Sequence, residues 1–396
     1  MKNQKNKYHF STSACRENTN AEKYVLREKL FGTNDVMPLW VADMDIDTPD
    51  FVIEAVKKRL EHPVIGYEEV PPSMFIAQIE WMKNEHRVEF ALEDMLYSHS
   101  VVASMNVAIE AFTEKGDKVI VQTPVYPPFF HSVMEHKREL LKNPLKQRED
   151  GSYTFDIEDL KSKIDEKTKL LLLCSPHNPV GRVWKKEELE EILELCLKHN
   201  IVVFSDEIHS DLVYAPNLHV PFASLNKEAR DITVTAIGVG KSFNMAGFAI
   251  SSVAVPNKEL REKFLKVYNR IHFANGSSLS HVAFEAAYKE GKIWLEELKI
   301  HLAKNFYMLK ELCDKYPIKI TPIEATYLAW LDCRGLGLRD KELRDFFVQE
   351  AGIGLSAGIS FGREGSGFMR LNFAISSAKM SQLIEKLEKA LKNFGR

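Results

Sequence analysis

The chain has 396 residues, and its 53 basic and 56 acidic side chains nearly cancel to a formal charge of -3. That balance argues against a nucleic-acid binder, which carries a basic excess, and no apolar run reaches the ~18 residues that span a bilayer. Five cysteines without CxxC spacing fit reduced thiols better than a disulfide frame or zinc site, and the basic opening lacks the apolar core of a signal peptide, so a cytoplasmic protein is expected.

In chain order, a polar stretch ends at Gly32-Thr33-Asn34-Asp35, and Pro38 to Ala42 forms a short apolar segment before Asp43-Met44-Asp45. Thr48 is read as the cap of a helix with Pro49 at its first position. Further helices are expected over Pro72–Glu85 and Val101–Thr113. Beyond residue 115 come four continuous apolar runs, 118–122, 170–174, 201–205 and 232–237, of the kind strands show when both faces are buried. Between the second and third, Leu189, Ile192, Leu193 and Cys196 repeat at helical spacing, completing a strand–helix–strand crossover. The natural solution is an open, mostly parallel α/β sheet with helices on both faces. From about Gly291, long amphipathic helices mix with strand signals at 328–331 and 368–373, and Ser376-Ser377 marks the start of a last helix. The expected organisation is a large domain over 49–290 and a smaller α+β domain over 291–396, with residues 1–48 joining the smaller one. The glycines between Gly352 and Gly367 do not spell a dinucleotide loop and are read as a mobile segment near a site entrance.

Ligands of open α/β sheets bind outside the carboxyl ends of the strands. The residues following the four runs include Tyr126, Asn178, Asp206 with His209, and Lys241. A ring, an amide, a carboxylate and an amine would share one rim. Taken singly, each has an ordinary structural explanation: a packed turn, an Asn-Pro turn, a strand-end cap, a surface lysine. His131 and His136 are five apart without a metal motif, so no metal site is expected.

The strings PVYPPF, SPHNPVGRVW, SDEIHSDLVY and GKSFNMAG, in this order, resemble the pyridoxal-phosphate enzymes of the aminotransferase fold, fold type I. More narrowly they resemble the MalY/PatB group of cystathionine β-lyases and cysteine-conjugate β-lyases, to which cystalysin also belongs. PLWVADMDIDTP and GFMRLNFA match that group too, and the resemblance covers about residues 35–395. It implies pyridoxal 5'-phosphate as cofactor, with Lys241 bonding its aldehyde and moving protons, Asp206 facing the pyridine nitrogen, Asn178 donating to the phenolic oxygen and Tyr126 stacking on the ring. His209 stands where many aminotransferases have a tyrosine three residues after the aspartate. Val101 and Val102, after Ser100 at a helix start, would offer N–H groups to the phosphate. Tyr67 would reach the phosphate of a neighbouring subunit, implying a homodimer with shared sites, and Ser277 or Ser278 would assist. Arg370 would hold the substrate α-carboxylate, with backbone at Val41 and Ala42 completing that site.

The chain departs from the wider fold in having Ala249 where many aminotransferases place a phosphate arginine, and Gly238 and Gly240 where hydroxyl residues are common. The implied activity is α,β-elimination from cystathionine or another cysteine S-conjugate. An aminotransferase is the alternative, and a regulator acting through a protein partner is a third reading.

Overall fold

The computed structural model describes residues 7–272 and 275–394, so the basic opening residues 1–6 lie outside it. Its centre is a seven-stranded sheet among the described residues, made of β1 (Met95–Ser98), β2 (Lys118–Thr123), β3 (Glu139–Pro144), β4 (Thr168–Cys174), β5 (Val202–Asp206), β6 (Thr233–Ile237) and β7 (Ser251–Ala254). The strand order is β1-β7-β6-β5-β4-β2-β3, and only β7 runs against its neighbours. The four apolar runs are thus β2, β4, β5 and β6, side by side in the middle of the sheet. Leu170 to Leu173 are each at most 1% exposed, because helices cover both faces. Full burial of each such side chain contributes roughly 1.5–3 kcal/mol.

Helices form where the spacing suggests. Helix α1 runs Asp50–Leu60, α2 Pro72–His86, α3 Val101–Phe112 and α4 Lys186–Lys198. The Ser100 Oγ accepts from the Ala103 N–H (3.1 Å), the side-chain cap that fixes the start of α3. Thr48 does not cap α1. Pro49 stands at that boundary instead, and the Thr48 hydroxyl donates to the Asn244 carbonyl (3.0 Å), tying the entry of α1 to the segment after Lys241.

Beyond residue 290, a second sheet is assembled from β8 (Lys319–Ile320), β9 (Leu328–Asp332), β10 (Ser356–Ala357) and β11 (Phe368–Asn372), ordered β8-β9-β11-β10 and antiparallel throughout. Helices α5 (Lys292–Cys313) and α6 (Ser377–Phe394) pack on it, with Leu298, Leu302, Leu383 and Leu387 fully buried. The Ser376 Oγ accepts from the Lys379 N–H (3.4 Å) at the start of α6. Far upstream, Met37–Pro38 pairs in parallel with Ile353–Gly354.

The glycine-rich stretch before β11 is close-packed, against the expectation of a mobile segment. A Cβ at Gly358 would lie 2.2 Å from the Gly365 carbonyl oxygen, so this turn closes only because both positions lack a side chain.

Candidate active site

Strands β2, β4, β5 and β6 end at one wall of a cavity of about 700 Å³. Val41, Ala42, Val101, Val102, Tyr126, Asn178, Asp206, His209, Lys241 and Arg370 line it, with Ser100 at the helix start. Tyr67 is fully exposed on the irregular segment before α2 and takes no part in this chain's own cavity. Ser277 and Ser278 also stay outside the lining; the Ser277 Oγ accepts from the Leu279 N–H at a helix start.

Neighbouring strand ends hold one another in place. The Tyr126 N–H donates to the Asn178 carbonyl (3.2 Å), and the Val125 N–H donates to the Phe361 carbonyl (2.9 Å). Asp206 closes β5 between Cys174 and Ala236. Lys241 sits on the short turn Val239–Ser242, whose Ser242 hydroxyl donates to Asp211 (2.7 Å). Asp211 also accepts from the Trp81 indole (2.8 Å) and pairs with His86 (2.7 Å), so a buried carboxylate anchors the lysine turn to α2.

The charges on the cavity wall are unevenly matched. Asp206 is 7% exposed and is pushed up to about 7 by burial, which the Ile208 N–H and Lys241 only partly offset. Lys241 is brought down to about 8 by burial and by the Arg370 charge, and its Nζ donates to the Ala42 carbonyl (2.6 Å). About a tenth of this amine is therefore neutral at pH 7, far more than of an ordinary lysine. Arg370, 5% exposed, has no carboxylate partner among the described residues. Its Nη1 donates to Asn178 Oδ1 (3.1 Å) and its Nη2 to the Trp40 carbonyl (2.7 Å), while Nε has no partner and the guanidinium lies 4.8 Å over the Phe361 ring. Burial lowers it to about 10. His209 is buried with its ring edge-on to Tyr327, and burial, aided by Lys241 and Arg370, presses it to about 3, so its imidazole is neutral.

The backbone from Trp40 to Asp43 borders the cavity with its carbonyls occupied. Arg370 takes that of Trp40, Asn372 that of Val41 (2.6 Å), Lys241 and Tyr327 that of Ala42, and Lys23 and Asn372 that of Asp43. What this segment has left to offer a carboxylate is its N–H groups. Val101 and Val102, the first residues of α3, line the same cavity, as do Gly240, Ala249 and Ser251. A Cβ at Gly238 would come 3.0 Å from the Ser251 Cβ and 3.1 Å from the Ile208 Cδ1, so a side chain there would crowd both.

These features fit pyridoxal phosphate. A buried acid lacking a strong cationic partner suits a protonated pyridine nitrogen. A half-buried, partly neutral amine suits an aldehyde, and free helix-start amides suit a phosphate. The wall also includes residues to which the sequence assigned no role: Glu22, Trp40, Asp43, His99, Ser356 and Phe361. Short extended segments flanking prolines were the sole local signal, as at Trp40.

The family model described as aminotransferase class I and II matches residues 34–387. Cystathionine beta-lyase PatB of Bacillus subtilis is 40% identical over 385 residues, covering 96% of this chain and 99% of that protein. Protein MalY of Escherichia coli is 31% identical, covering 97% and 99%. The crystal structure of cystalysin from Treponema denticola, which contains a pyridoxal 5'-phosphate cofactor, superposes with a TM-score of 0.94 at 36% identity, covering 98% of this chain and 99% of that one. With the expected fold and the expected cavity both present, the chain belongs to the aminotransferase class I and II family.

Proposed function

We infer that the protein is a pyridoxal-phosphate-dependent carbon–sulfur β-lyase, converting a cysteine S-conjugate and water to a thiol, pyruvate and ammonium. The observation that carries the reading is Arg370, a buried guanidinium without a carboxylate of its own on the same cavity as Lys241 and Asp206. Such a cation selects an α-amino acid. The relative named cystathionine beta-lyase supports elimination over amino transfer.

When bound, the cofactor supplies an aldehyde for the substrate amine and a ring that accepts the electron pair left at Cα. The chain's own residues do the rest. Asp206 holds a proton on the ring nitrogen as an ion pair, and Asn178 offers its amide N–H2, since Arg370 occupies its Oδ1. Tyr126 supplies a flat wall, and the neutral His209 adds no charge to the site. Val101 and Val102 present backbone N–H groups to the phosphate. Arg370, helped by N–H groups near Val41 and Ala42, fixes the α-carboxylate and with it the Cα–H direction. Lys241 Nζ takes the Cα proton as general base. The Cβ–S electron pair then leaves with the thiolate. Water releases ammonium and pyruvate from the three-carbon remainder.

The working form is read as a homodimer with shared sites, supported by fully exposed Tyr67 with Val64 and Ile65 on one extended segment. Residues 1–48 act with the unit 291–396, a division supported by the pairing of Met37–Pro38 with Ile353–Gly354. No helix among the described residues is long and apolar enough to cross a membrane. The five cysteines, all free thiols, support a cytoplasmic setting. Incubation of the pyridoxal-phosphate-loaded protein with L-cystathionine should release pyruvate without added keto acid. Release that requires a keto acid, with the amino group recovered on it, would establish the aminotransferase instead.

A further inference from the structure

The cavity has an unmatched cation at its floor and an unmatched anion at its mouth. The floor is Arg370. The mouth is Glu22, exposed to solvent on the same lining and without an ion pair or side-chain hydrogen bond among the described residues. Asp43, the other acidic side chain on that stretch of wall, is neutralised by Arg16 (2.7 Å) and Lys23 (2.9 Å). Trp40, Tyr126 and Phe361 give the lining between floor and mouth an aromatic surface.

Glu22 stands on a fixed backbone although its side chain is free. Lys23, the next residue, is fully buried, its Nζ donating to the Asp43 carbonyl (3.0 Å) and its own carbonyl accepting the Trp40 indole N–H (3.1 Å). Tyr24 then donates to Asp45 (2.8 Å). The short helical turn Glu22–Val25 is therefore pinned to the cavity wall, and its first residue holds a carboxylate at the opening.

We propose that Glu22 is a specificity-determining residue that favours cysteine S-conjugates whose leaving arm ends in a cation, such as a distal ammonium. An amino acid whose α-carboxylate is held at Arg370 extends its side chain past the aromatic wall toward solvent. An ammonium about three atoms beyond the sulfur then meets an anion that has no other partner among the described residues. The attraction acts at an exposed site, so it is modest and falls with salt.

This deepens the lyase reading and rests on it for the word conjugate, so the test has two arms. In the first, the cofactor-loaded protein is titrated with L-lysine and with L-2-aminoheptanoate, two amino acids of equal chain length that have no β leaving group. Binding is followed by the absorbance of the bound cofactor. In the second, pyruvate release is compared for S-(2-aminoethyl)-L-cysteine and its neutral isostere S-propyl-L-cysteine. The wild type should prefer the cationic member of each pair by about 3- to 5-fold at low salt. Glu22→Gln should bring both ratios to about 1, leaving the neutral member within about 1.5-fold of wild type. Ratios that survive Glu22→Gln, or a wild type without preference in the binding arm, would overturn the assignment. Absence of pyruvate from both conjugates, with the lysine preference still lost in Glu22→Gln, would sink the lyase reading and keep Glu22 as the selector.

Discussion

Two charged clusters lie side by side at the junction of the N-terminal segment and the main sheet, and they differ in one respect. Around Asp43 and Asp45, every charge is matched: Asp45 pairs with Arg16 (2.9 Å) and Lys379 (3.0 Å), accepts from Tyr24 and lies 3.5 Å from Lys23. Around Lys241, Asp206 and Arg370, buried charges face a cavity with no group of opposite sign bound to them among the described residues. Taking a charge out of water costs several kcal/mol unless a partner is supplied. The matched cluster offsets that cost within the chain. In the cavity it stands open, for a ligand to offset. Burial of charge alone separates nothing; completeness of pairing distinguishes scaffold from site.

The largest effect is expected at the lysine. Lys241→Ala should lower pyruvate release by at least about a thousandfold while the thermal unfolding temperature stays near that of the wild-type apoprotein, as expected of a group used for chemistry. Arg370→Leu should cost about a hundredfold in kcat/KM, chiefly through KM, again with little loss of stability, since an unpaired buried charge is removed. A large stability loss on Arg370→Leu with unchanged KM would place this arginine with the scaffold.

Asp45→Asn should do the reverse, destabilising the fold by about 3 kcal/mol because buried Lys23 loses part of its compensation, as read by denaturant unfolding. The pH dependence follows from the same pairing. Burial alone would raise the Asp45 carboxyl, but Lys23 and Lys379 outweigh it and hold it at about 2. Its folded value is below its unfolded one, so its contribution is present above about pH 4 and is lost as pH falls toward 2. In Asp45→Asn that acid-side loss should shrink. The smallest of these effects is kinetic. Cofactor uptake by the apoprotein needs the neutral Lys241 amine, so its rate should rise about tenfold per pH unit and level off near pH 8, where burial and Arg370 have set that amine. A rate still climbing at pH 10 would mean an ordinary surface lysine.

How much of this was legible depended on how local the signal was. The four central strands are continuous apolar runs because both their faces are covered, and their carboxyl ends pointed to Tyr126, Asn178, Asp206 and Lys241 without family knowledge. The edge strand Glu139–Pro144 escaped notice because its exposed Glu139 and Lys142 break the run, and Ser251–Ala254 because small hydroxyl residues occupy half of a buried strand. Arg370 was found through the resemblance, and periodicity gave it no distinction. Glu22, Asp43 and Phe361 reach the cavity from distant parts of the chain. Their role is created by tertiary packing, so no local pattern announces it. Thr48 departs from expectation for a related reason: a residue of the capping type finds its partner in Asn244, almost two hundred residues on.

Trp40 carries a practical consequence. Of the chain's tryptophans it alone lines the described cavity, and its indole nitrogen is tied to the segment bearing Glu22. Its emission is therefore a built-in optical gauge: a chromophore settling against the wall should quench it by energy transfer, and loosening of the N-terminal segment should shift its colour, without any attached dye.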